Sequence, residues 1–418
     1  MRRPKSAARN GLSRRAMLTA LAGASAATAS AQGQTTTQAA GDSAATTPVI
    51  RVGYIRWMQR RPTISLLDKQ APNDGLAGAE LAMADNNTTG RFLGLQYELT
   101  DVPVRTDDDV TAKLGPLVQQ GARLVLTDVP ADRVLKLADA ARAENVIIFN
   151  IQAPDDSLRQ QDCRTDVIHV APSRAMLADA LAEYLVWKKW SRWLLVHGSH
   201  PSDLSLRDAY RRSAKRYGAK IVQEREYKDT GGSRETDTGL VQTQQQMPVF
   251  TQQAPSYDVL VAADENQVFA GYLPYRTWDP RPVAGSAGLM PVSWDPSSES
   301  WGGTQMQDRF VRRFRRSMTQ LDMQAWTAAR MIGEASSRAS SADAGKIMAT
   351  MRAPNFQIGA YKDKALSIRD WNGQVRQAIL LSDGRNVVSL SPQPGFLHQT
   401  NDLDTLGVDR PESTCKLT

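Results

Sequence analysis

The stretch RLVLTDVPADRVLKLADAARAENVIIFN, residues 123–150, decides the fold. Two short apolar runs, 123–126 and 146–150, flank a segment, 131–144, whose apolar residues recur at helical spacing. Strands that are apolar at nearly every position are typical of a parallel sheet covered by helices on both faces. The stretch therefore predicts a β-α-β unit within a doubly wound α/β sheet.

The same alternation continues on both sides of this unit. Strand-like and amphipathic segments alternate from residue 49, and after a helix that Ser173 can cap the pattern starts again near residue 193. The chain is too long for one ordinary core, so we expect two doubly wound, Rossmann-like lobes joined by a multi-strand hinge. The expected division is 49–170 with 289–355 for the N-terminal lobe, 171–288 with 356–390 for the C-terminal lobe, and 391–418 for a C-terminal tail.

The first part of the chain is typical of a cleaved signal peptide. The pair Arg14-Arg15 precedes an apolar run of small residues that closes on Ala29-Ser30-Ala31. The paired arginines favour the twin-arginine route, and an ordinary Sec signal that happens to hold two arginines is the alternative. We therefore expect a signal peptide over 1–31, a flexible linker over 32–48, and export to the periplasm.

The charge balance changes when this leader is removed. The chain has 51 basic and 44 acidic residues, and six of the basic ones precede residue 32, which leaves 45 basic residues against 44 acidic ones. The basic surface expected of a nucleic-acid-binding protein is therefore absent from the body of the chain. No apolar run long enough for a membrane helix follows the leader. We expect a monomer that is not embedded in the membrane and has no nucleic-acid partner.

The two cysteines, Cys163 and Cys415, are far apart in the sequence. An even number of cysteines in an oxidising compartment favours a disulfide, although two unrelated thiols are the alternative. Closing so long a loop would stabilise the fold by about 5 kcal/mol at most. The bridge would pin the C-terminal tail to the first half of the chain.

Several segments carry a family resemblance. The first helix opens on Asp74-Gly75, continues through Gly78-Ala79-Glu80-Leu81-Ala82 and closes on Asn86-Asn87, which resembles type I periplasmic binding proteins of the leucine/isoleucine/valine class. The match is closer to the substrate-binding protein associated with PQQ-dependent alcohol dehydrogenase systems. The segments similar to that branch are 73–78, 86–92, 153–156, 172–177, 272–278, 391–398 and 402–407.

The resemblance implies a periplasmic receptor that closes around a small-molecule solute and serves an inner-membrane ABC permease and ATPase complex. Amino-acid receptors of the class hold the ligand carboxylate with hydroxyl side chains and backbone N–H groups in the loop after the third strand. Here that loop is Thr127-Asp128-Val129-Pro130-Ala131-Asp132. A ligand carboxylate beside Asp128 would meet like-charge repulsion, so a neutral or cationic solute fits better than a branched-chain amino acid.

Candidate binding residues follow from the position of ligands in open α/β sheets, beyond the carboxyl ends of the strands. Each of these side chains could equally cap a loop or face solvent. The candidates are Arg56, Trp57, Thr127, Asp128, Asn150 and Gln152 in the first lobe, and Ser199, His200, Asp203, Asp264 and Glu265 in the second.

The sequence gives no sign of catalytic or cofactor chemistry. It contains no G-x-S-x-G elbow, Walker A loop or G-x-G-x-x-G turn, and its four histidines lack metal-ligand spacing. We therefore expect neither an enzyme nor a metal or cofactor site. The alternative to a receptor is an interaction module that keeps the receptor fold and docks on a transporter or dehydrogenase without closing on a small molecule.

Overall fold

The structure, a computed structural model, describes residues 47–59, 63, 69–229 and 237–417, and of residues 237–242 the backbone alone. The expected signal peptide and nearly all of the expected linker lie outside these residues. Residues 47–418 form one compact unit.

The first half of the described chain builds a parallel sheet with crossover helices. Its strands are β1 (Val49–Trp57), β2 (Gln96–Val104), β3 (Leu124–Thr127), β4 (Ile147–Asn150) and β5 (Val167–His169), and its helices are α1 (Leu76–Leu93), α2 (Leu114–Gln119) and α3 (Ala131–Ala143). The strands lie in the order β2-β1-β3-β4-β5, and each neighbouring pair is parallel. The sheet confirms the β-α-β pattern predicted from residues 123–150.

Both faces of this first sheet are covered. On β4, Phe149 faces the core cluster that contains α1, whereas Ile148 faces the cluster that contains α2 and α3. Leu126 and Val125 of β3 divide between the two clusters in the same way. Alternate side chains of a strand point to opposite faces, so a strand buried on both faces must be apolar throughout.

The next part of the chain repeats this construction. Its elements are α4 (Arg174–Trp187), β6 (Arg192–His197), α5 (Pro201–Tyr217), β7 (Lys220–Glu226), α6 (Asp237–Thr251), β8 (Val259–Ala263), α7 (Leu273–Arg276) and β9 (Val283–Gly285). The strands form a second parallel sheet in the order β7-β6-β8-β9. Trp193 and Leu194 of β6 again enter different core clusters, so both faces are buried. The two sheets confirm the predicted α/β class.

The chain then returns to the first sheet. Helices α8 (Gly303–Phe314), α9 (Gln320–Ala339) and α10 (Ala344–Arg352) follow the strand β10 (Met290–Val292). Phe310, Met323 and Ile347 from these helices share a core cluster with β1, β3 and β4. We call the first sheet with its packed helices the first lobe, and the second sheet with its packed helices the second lobe.

Antiparallel strands connect the lobes. The hairpin β11 (Ser367–Ile368) and β12 (Val375–Arg376) turns at Asn372-Gly373. Strand β10 pairs with β13 (Ile379–Ser382), which pairs with β14 (Val387–Ser391). The prediction assigns residues 356–390 to the second lobe, but Phe356 and Val375 lie in the core of the first lobe. The reason is that the hairpin continues the edge of the first sheet, where His169 N–H donates to Gly373 O at 2.9 Å. The other lobe boundaries stay predictions.

Local differences from the sequence prediction have clear causes. Helix α1 continues past Asn86 until Gly94, whose φ of 66° supports a left-handed cap. Helix α2 is preceded by a 3₁₀ turn, Thr111–Lys113, with Asp109 accepting from Thr111 N–H at 2.9 Å. The sequence pattern did not predict α6, which has Pro248 inside it.

Cys163 and Cys415 are joined in a disulfide. In the part of the chain that the structure describes, no helix is both long and apolar enough to cross a membrane. Among those same residues, no three His, Cys, Asp or Glu side chains are grouped so that they could hold a metal ion.

Candidate functional site

The candidate residues lie at the carboxyl ends of strands in both lobes. In the first sheet, Ile55 pairs with Thr127 and Thr127 pairs with Asn150, so the ends of β1, β3 and β4 are adjacent. In the second sheet, His197 pairs with Ala263, so the loops after β6 and β8 start side by side. The structure therefore brings the first-lobe candidates together at one sheet edge and the second-lobe candidates at another.

Asp128 connects the ends of two strands. Its side chain is 4% exposed, and its carboxylate accepts from Trp57 N–H at 2.5 Å and from the Tyr54 hydroxyl at 3.3 Å. The neighbouring Thr127 hydroxyl donates to Ile55 O at 3.1 Å. Both side chains hold the loop after β3 against the end of β1, and both carboxylate oxygens of Asp128 are engaged within the protein.

Arg56 and Trp57 each contact a charged side chain that fixes their position. Arg56 forms a two-point pair with Asp101 at 2.9 and 2.8 Å, and this hydrogen bonding raises its pKa. The guanidinium of Arg133 lies 4.4 Å from the centre of the Trp57 ring, a cation–π distance. The indole therefore presents a fixed, partly exposed aromatic surface at the end of β1.

Asn150 shapes the turn after β4. Its side-chain oxygen accepts from the N–H groups of Gln152 and Ala153 at 3.2 and 2.9 Å, and its amide lies 3.1 Å from His169 Nδ1. Burial lowers the pKa of His169 well below its usual value, so the imidazole is neutral. Gln152 is half-buried beside this turn.

Two buried aspartates hold the second-lobe loops. Asp203 in α5 accepts from Glu265 N–H at 2.7 Å and from Asn266 N–H at 3.1 Å. Asp264 accepts from three consecutive N–H groups, those of residues 268–270, at 2.7 to 2.9 Å. Burial raises the pKa of Asp264 although these three donors oppose the shift. Both carboxylates fix backbone that follows β8.

Ser199 and His200 form a more open part of the second-lobe edge. The His200 side chain is 41% exposed, and its Nε2 lies 2.8 Å from Asp229. The Ser199 hydroxyl accepts from Asp229 N–H at 3.1 Å. The imidazole is thus held by Asp229, and part of the ring stays exposed at this sheet edge.

A cavity of about 540 Å³ opens beside Asp264 at the ends of β8 and β9. Ser286 and Tyr275 line it from the second lobe, and Asp383 and Arg385 line it from the turn between β13 and β14. The ring of Tyr275 is 90% exposed. The cavity offers charges of both signs and an aromatic face to a small polar molecule.

Arg174, which was not among the candidates, joins the edges of the two lobes. It pairs with Glu265, after β8, at 2.7 and 2.8 Å and with Asp155, after β4, at 2.8 Å. Burial would lower the pKa of Arg174, but the bonds and charges of the two carboxylates outweigh burial and raise it. A cation in the first turn of a helix opposes the helix dipole, and this was the signal in the sequence that could have identified Arg174.

The sequence matches a known protein family. A family model described as a periplasmic binding protein matches residues 70–382, more than half of the chain. No curated protein sequence matches the chain significantly.

Solved structures show the same fold at low identity. A branched chain amino acid ABC transporter periplasmic ligand-binding protein from Burkholderia xenovorans LB400 is 15% identical, with a TM-score of 0.70 over 88% of this chain and 99% of that one. A periplasmic binding protein from Burkholderia mallei is 16% identical, with a TM-score of 0.64 over the same shares of the two chains. A solute binding protein from R. palustris, solved with benzoate, is 12% identical, with a TM-score of 0.60 over 88% of this chain and 100% of that one.

These structures show that the fold is shared. They do not indicate which ligand this chain binds. The family model matches more than half of the chain, and the two parallel sheets agree with the architecture that this family implies. The chain belongs to the periplasmic binding protein family.

Proposed function

We propose that the mature chain is the periplasmic solute-binding component of an ABC transport system. It binds one small polar solute between its lobes and delivers it to an inner-membrane permease and ATPase complex. Family membership supports the receptor role, because the matched region includes the whole second sheet and the strands β2 to β5 of the first. The leader, with its paired arginines, supports export to the periplasm.

The contact of Arg174 with Asp155 and Glu265 carries this proposal. Asp155 follows a strand of the first sheet, and Glu265 follows a strand of the second. A single side chain can reach both only if the carboxyl edges of the two sheets face each other. Since ligands of open α/β sheets bind at these edges, a solute between them would contact both lobes and favour their closure.

The charges at these edges favour a neutral or cationic solute. Asp128, Asp155, Asp203, Asp264 and Glu265 place carboxylates there, and the cations Arg56 and Arg174 are already paired with carboxylates. A free ligand carboxylate would therefore lack an unengaged partner among these residues. The structural relatives include proteins solved with benzoate and with leucine, so the fold by itself does not set the ligand.

We further propose that the transport system is linked to PQQ-dependent alcohol oxidation. The support is the resemblance of seven short segments, among them 272–278, whose exposed Tyr275 lines the cavity at Asp264. The solute would then be a substrate, product or cofactor component of that oxidation.

Native mass spectrometry of protein purified gently from the periplasm of cells grown on an alcohol tests the receptor role. We expect a stoichiometric adduct, which denaturing analysis would release and identify, on a chain whose mass corresponds to cleavage after Ala31. The same solute, added back to protein that was unfolded and refolded without it, should raise the melting temperature.

Variants then test the site. Trp57→Ala and His200→Ala should reduce this ligand-induced stabilisation, since both side chains are at least partly exposed at a sheet edge. Asp208→Ala, an exposed position in α5, is the control and should retain it. Equal stabilisation of all three variants would show that the solute binds elsewhere.

An interaction module is the second candidate, and one observation favours it. The carboxylates of Asp128, Asp203, Asp264 and Glu265 are all engaged with groups of the protein itself. A chain that stays without an adduct under all growth conditions, and that co-purifies with a transporter or dehydrogenase after crosslinking, would support the module and contradict the receptor.

A further inference from the structure

The C-terminal segment 402–415, which we call the strap, begins on the first lobe. Asp404 pairs with Arg369 and Arg376 at 2.8 Å each, and both Asp404 and Arg369 are 1% exposed. These arginines belong to or adjoin the β11–β12 hairpin, which extends the edge of the first sheet. The start of the strap is therefore anchored to the first lobe by a buried ion pair.

The middle of the strap binds the second lobe. Gly407 N–H donates to Asp179 of α4 at 2.8 Å, and Arg212 of α5 donates to Asp179 and to Gly407 O at 2.9 Å each. A Cβ at Gly407 would lie 2.7 Å from the Met176 side chain, so the strap passes against α4 with no space to spare. This contact is buried, since Asp179 and Leu406 are both 0% exposed.

A second contact with α5 follows on the surface. The Glu412 carboxylate accepts from Arg212 at 3.1 Å and from Arg216 at 2.9 Å. The Tyr217 hydroxyl donates to Thr405 O at 2.7 Å. Helix α5 thus holds the strap at three positions over one face.

The end of the strap returns to the first lobe. Cys415 forms the disulfide with Cys163, and Thr414 donates to Gln160 Oε1 through its N–H at 2.8 Å and its hydroxyl at 2.9 Å. Cys163 and Gln160 lie between β4 and β5. The strap therefore leaves the first lobe, crosses the second, and is covalently fixed to the first again.

We propose that the strap limits rotation of the second lobe relative to the first and holds the carboxyl edges of the two sheets facing each other. A wide opening of the lobes would have to pull α5 away from Gly407 and Glu412 or stretch a segment that is fixed at both ends. The functional meaning rests on the proposed solute binding: a restricted range of opening keeps more of the free protein in the binding-competent arrangement, which improves apparent affinity.

The distribution of distances between the lobes tests the strap without any solute. Spin labels on noncanonical residues at Phe92, 88% exposed in the first lobe, and Val249, 63% exposed in the second, leave the cysteines untouched. Pulsed electron paramagnetic resonance should give a narrow distribution for the parent chain. In Cys163→Ser/Cys415→Ser we expect a broader distribution with an added population at longer distances.

A second variant keeps the proposal testable if the first fails to melt cooperatively. Arg216→Gln/Glu412→Gln leaves the disulfide in place and loosens the contact with α5, and it should broaden the distribution by a smaller amount. Arg164→Gln, at a pair with Asp139 inside the first lobe, is the control and should leave the distribution unchanged. Distributions as narrow as that of the parent in every cooperatively folded strap variant would overturn the proposal.

The two experiments distinguish an error in the strap proposal from an error in the proposed receptor role. The distance measurement needs no ligand, whereas the adduct in native mass spectrometry needs no labels. If the distance distribution broadens in the strap variants but the parent chain never carries an adduct, the strap proposal would be supported and the receptor role contradicted.

Discussion

Lys362 is a buried lysine that has no acidic partner among the residues that the structure describes. It is 3% exposed, and its amine donates to Gln377 Oε1 at 2.6 Å. Burial lowers the pKa of Lys362 to about 7. The ammonium form is thus disfavoured in the folded state relative to the unfolded one.

This shift predicts how stability depends on pH. Between about pH 7 and the usual lysine value, the unfolded chain binds a proton that the folded chain does not, so the free energy of unfolding should rise with pH by up to about 1.4 kcal/mol per unit. Lys362→Met should be more stable at pH 7 and should lose this part of the slope. Lys364→Met, at a half-exposed neighbour paired with Asp402, should keep it.

Urea unfolding of the three proteins at pH 7, 8 and 9 makes this comparison. Parallel slopes for the parent and Lys362→Met would show that the buried amine keeps an ordinary pKa.

Asp264 stabilises the loop after β8 through three backbone donors. Asp264→Ala would leave buried N–H groups without an acceptor, so we expect the free energy of unfolding to fall by about 2–3 kcal/mol. Asp208→Ala, whose side chain is 57% exposed, should change it by less than about 0.5 kcal/mol. Denaturant titration of both variants measures these free energies of unfolding. Equal decreases in the two variants would mean that Asp264 is not needed for the loop.

The sequence places the candidate residues after strand ends but cannot assign their partners. A carboxylate after a strand can bind a solute or a backbone N–H, and the residue type is the same in both cases. Asp203 receives its donors from residues 265 and 266, more than sixty positions away, so only the folded chain brings them together. The same holds for Arg174, whose two carboxylates come from different lobes.

The parallel strands were the most predictable part of the fold. Continuous apolar runs such as 146–149 have few alternatives to a strand buried on both faces. Helices α6 and α10 were missed because α6 is rich in glutamine and contains Pro248, and α10 is a short segment, 344–352. Their placement depends on the sheets already formed.

Helices α1 and α9 pack so closely that a glycine is required between them. A Cβ at Gly78 would lie 1.9 Å from Asp322 O in the backbone of α9. Gly78→Ala should therefore push the helices apart and lower the free energy of unfolding by about 2 kcal/mol or more.

The control for this variant is Gly115→Ala in α2, where an added Cβ meets nothing within 4 Å. Alanine favours a helix over glycine, so this change should raise the free energy of unfolding by up to about 1 kcal/mol. Thermal melts that move in the same direction for both variants would contradict the close packing of α1 on α9.

The loops after β4 and β8 meet at the start of α4. In addition to the Arg174 side chain, the backbone of α4 contacts the first lobe. Ala175 N–H lies 3.2 Å from Asp156, and the backbone N–H of Arg174 donates to Pro154 O at 2.9 Å. The first turn of a second-lobe helix is thus bound by a first-lobe loop. The two lobes should therefore be coupled in unfolding as well as in space.

A double-mutant cycle on Arg174 and Asp155 measures this coupling. Arg174 has 7% and Asp155 33% of its side chain exposed, so their 2.8 Å bond is partly shielded from water. We expect Arg174→Met alone to be strongly destabilising, because Glu265 and Asp155 would be left facing each other without a cation. Asp155→Asn alone should cost less, and the two changes together should show a coupling free energy of about 1–3 kcal/mol.

The pair Arg164 and Asp139 is the matched control, since both residues lie in the first lobe and Asp139 is 56% exposed. Its coupling should stay below about 1 kcal/mol, as is usual for pairs at the surface. Urea unfolding of the four proteins in each cycle gives both values. If the Arg174 cycle shows no more coupling than the control, the lobes do not support each other through this contact, and the facing arrangement of the sheet edges would depend on the strap and the connecting strands.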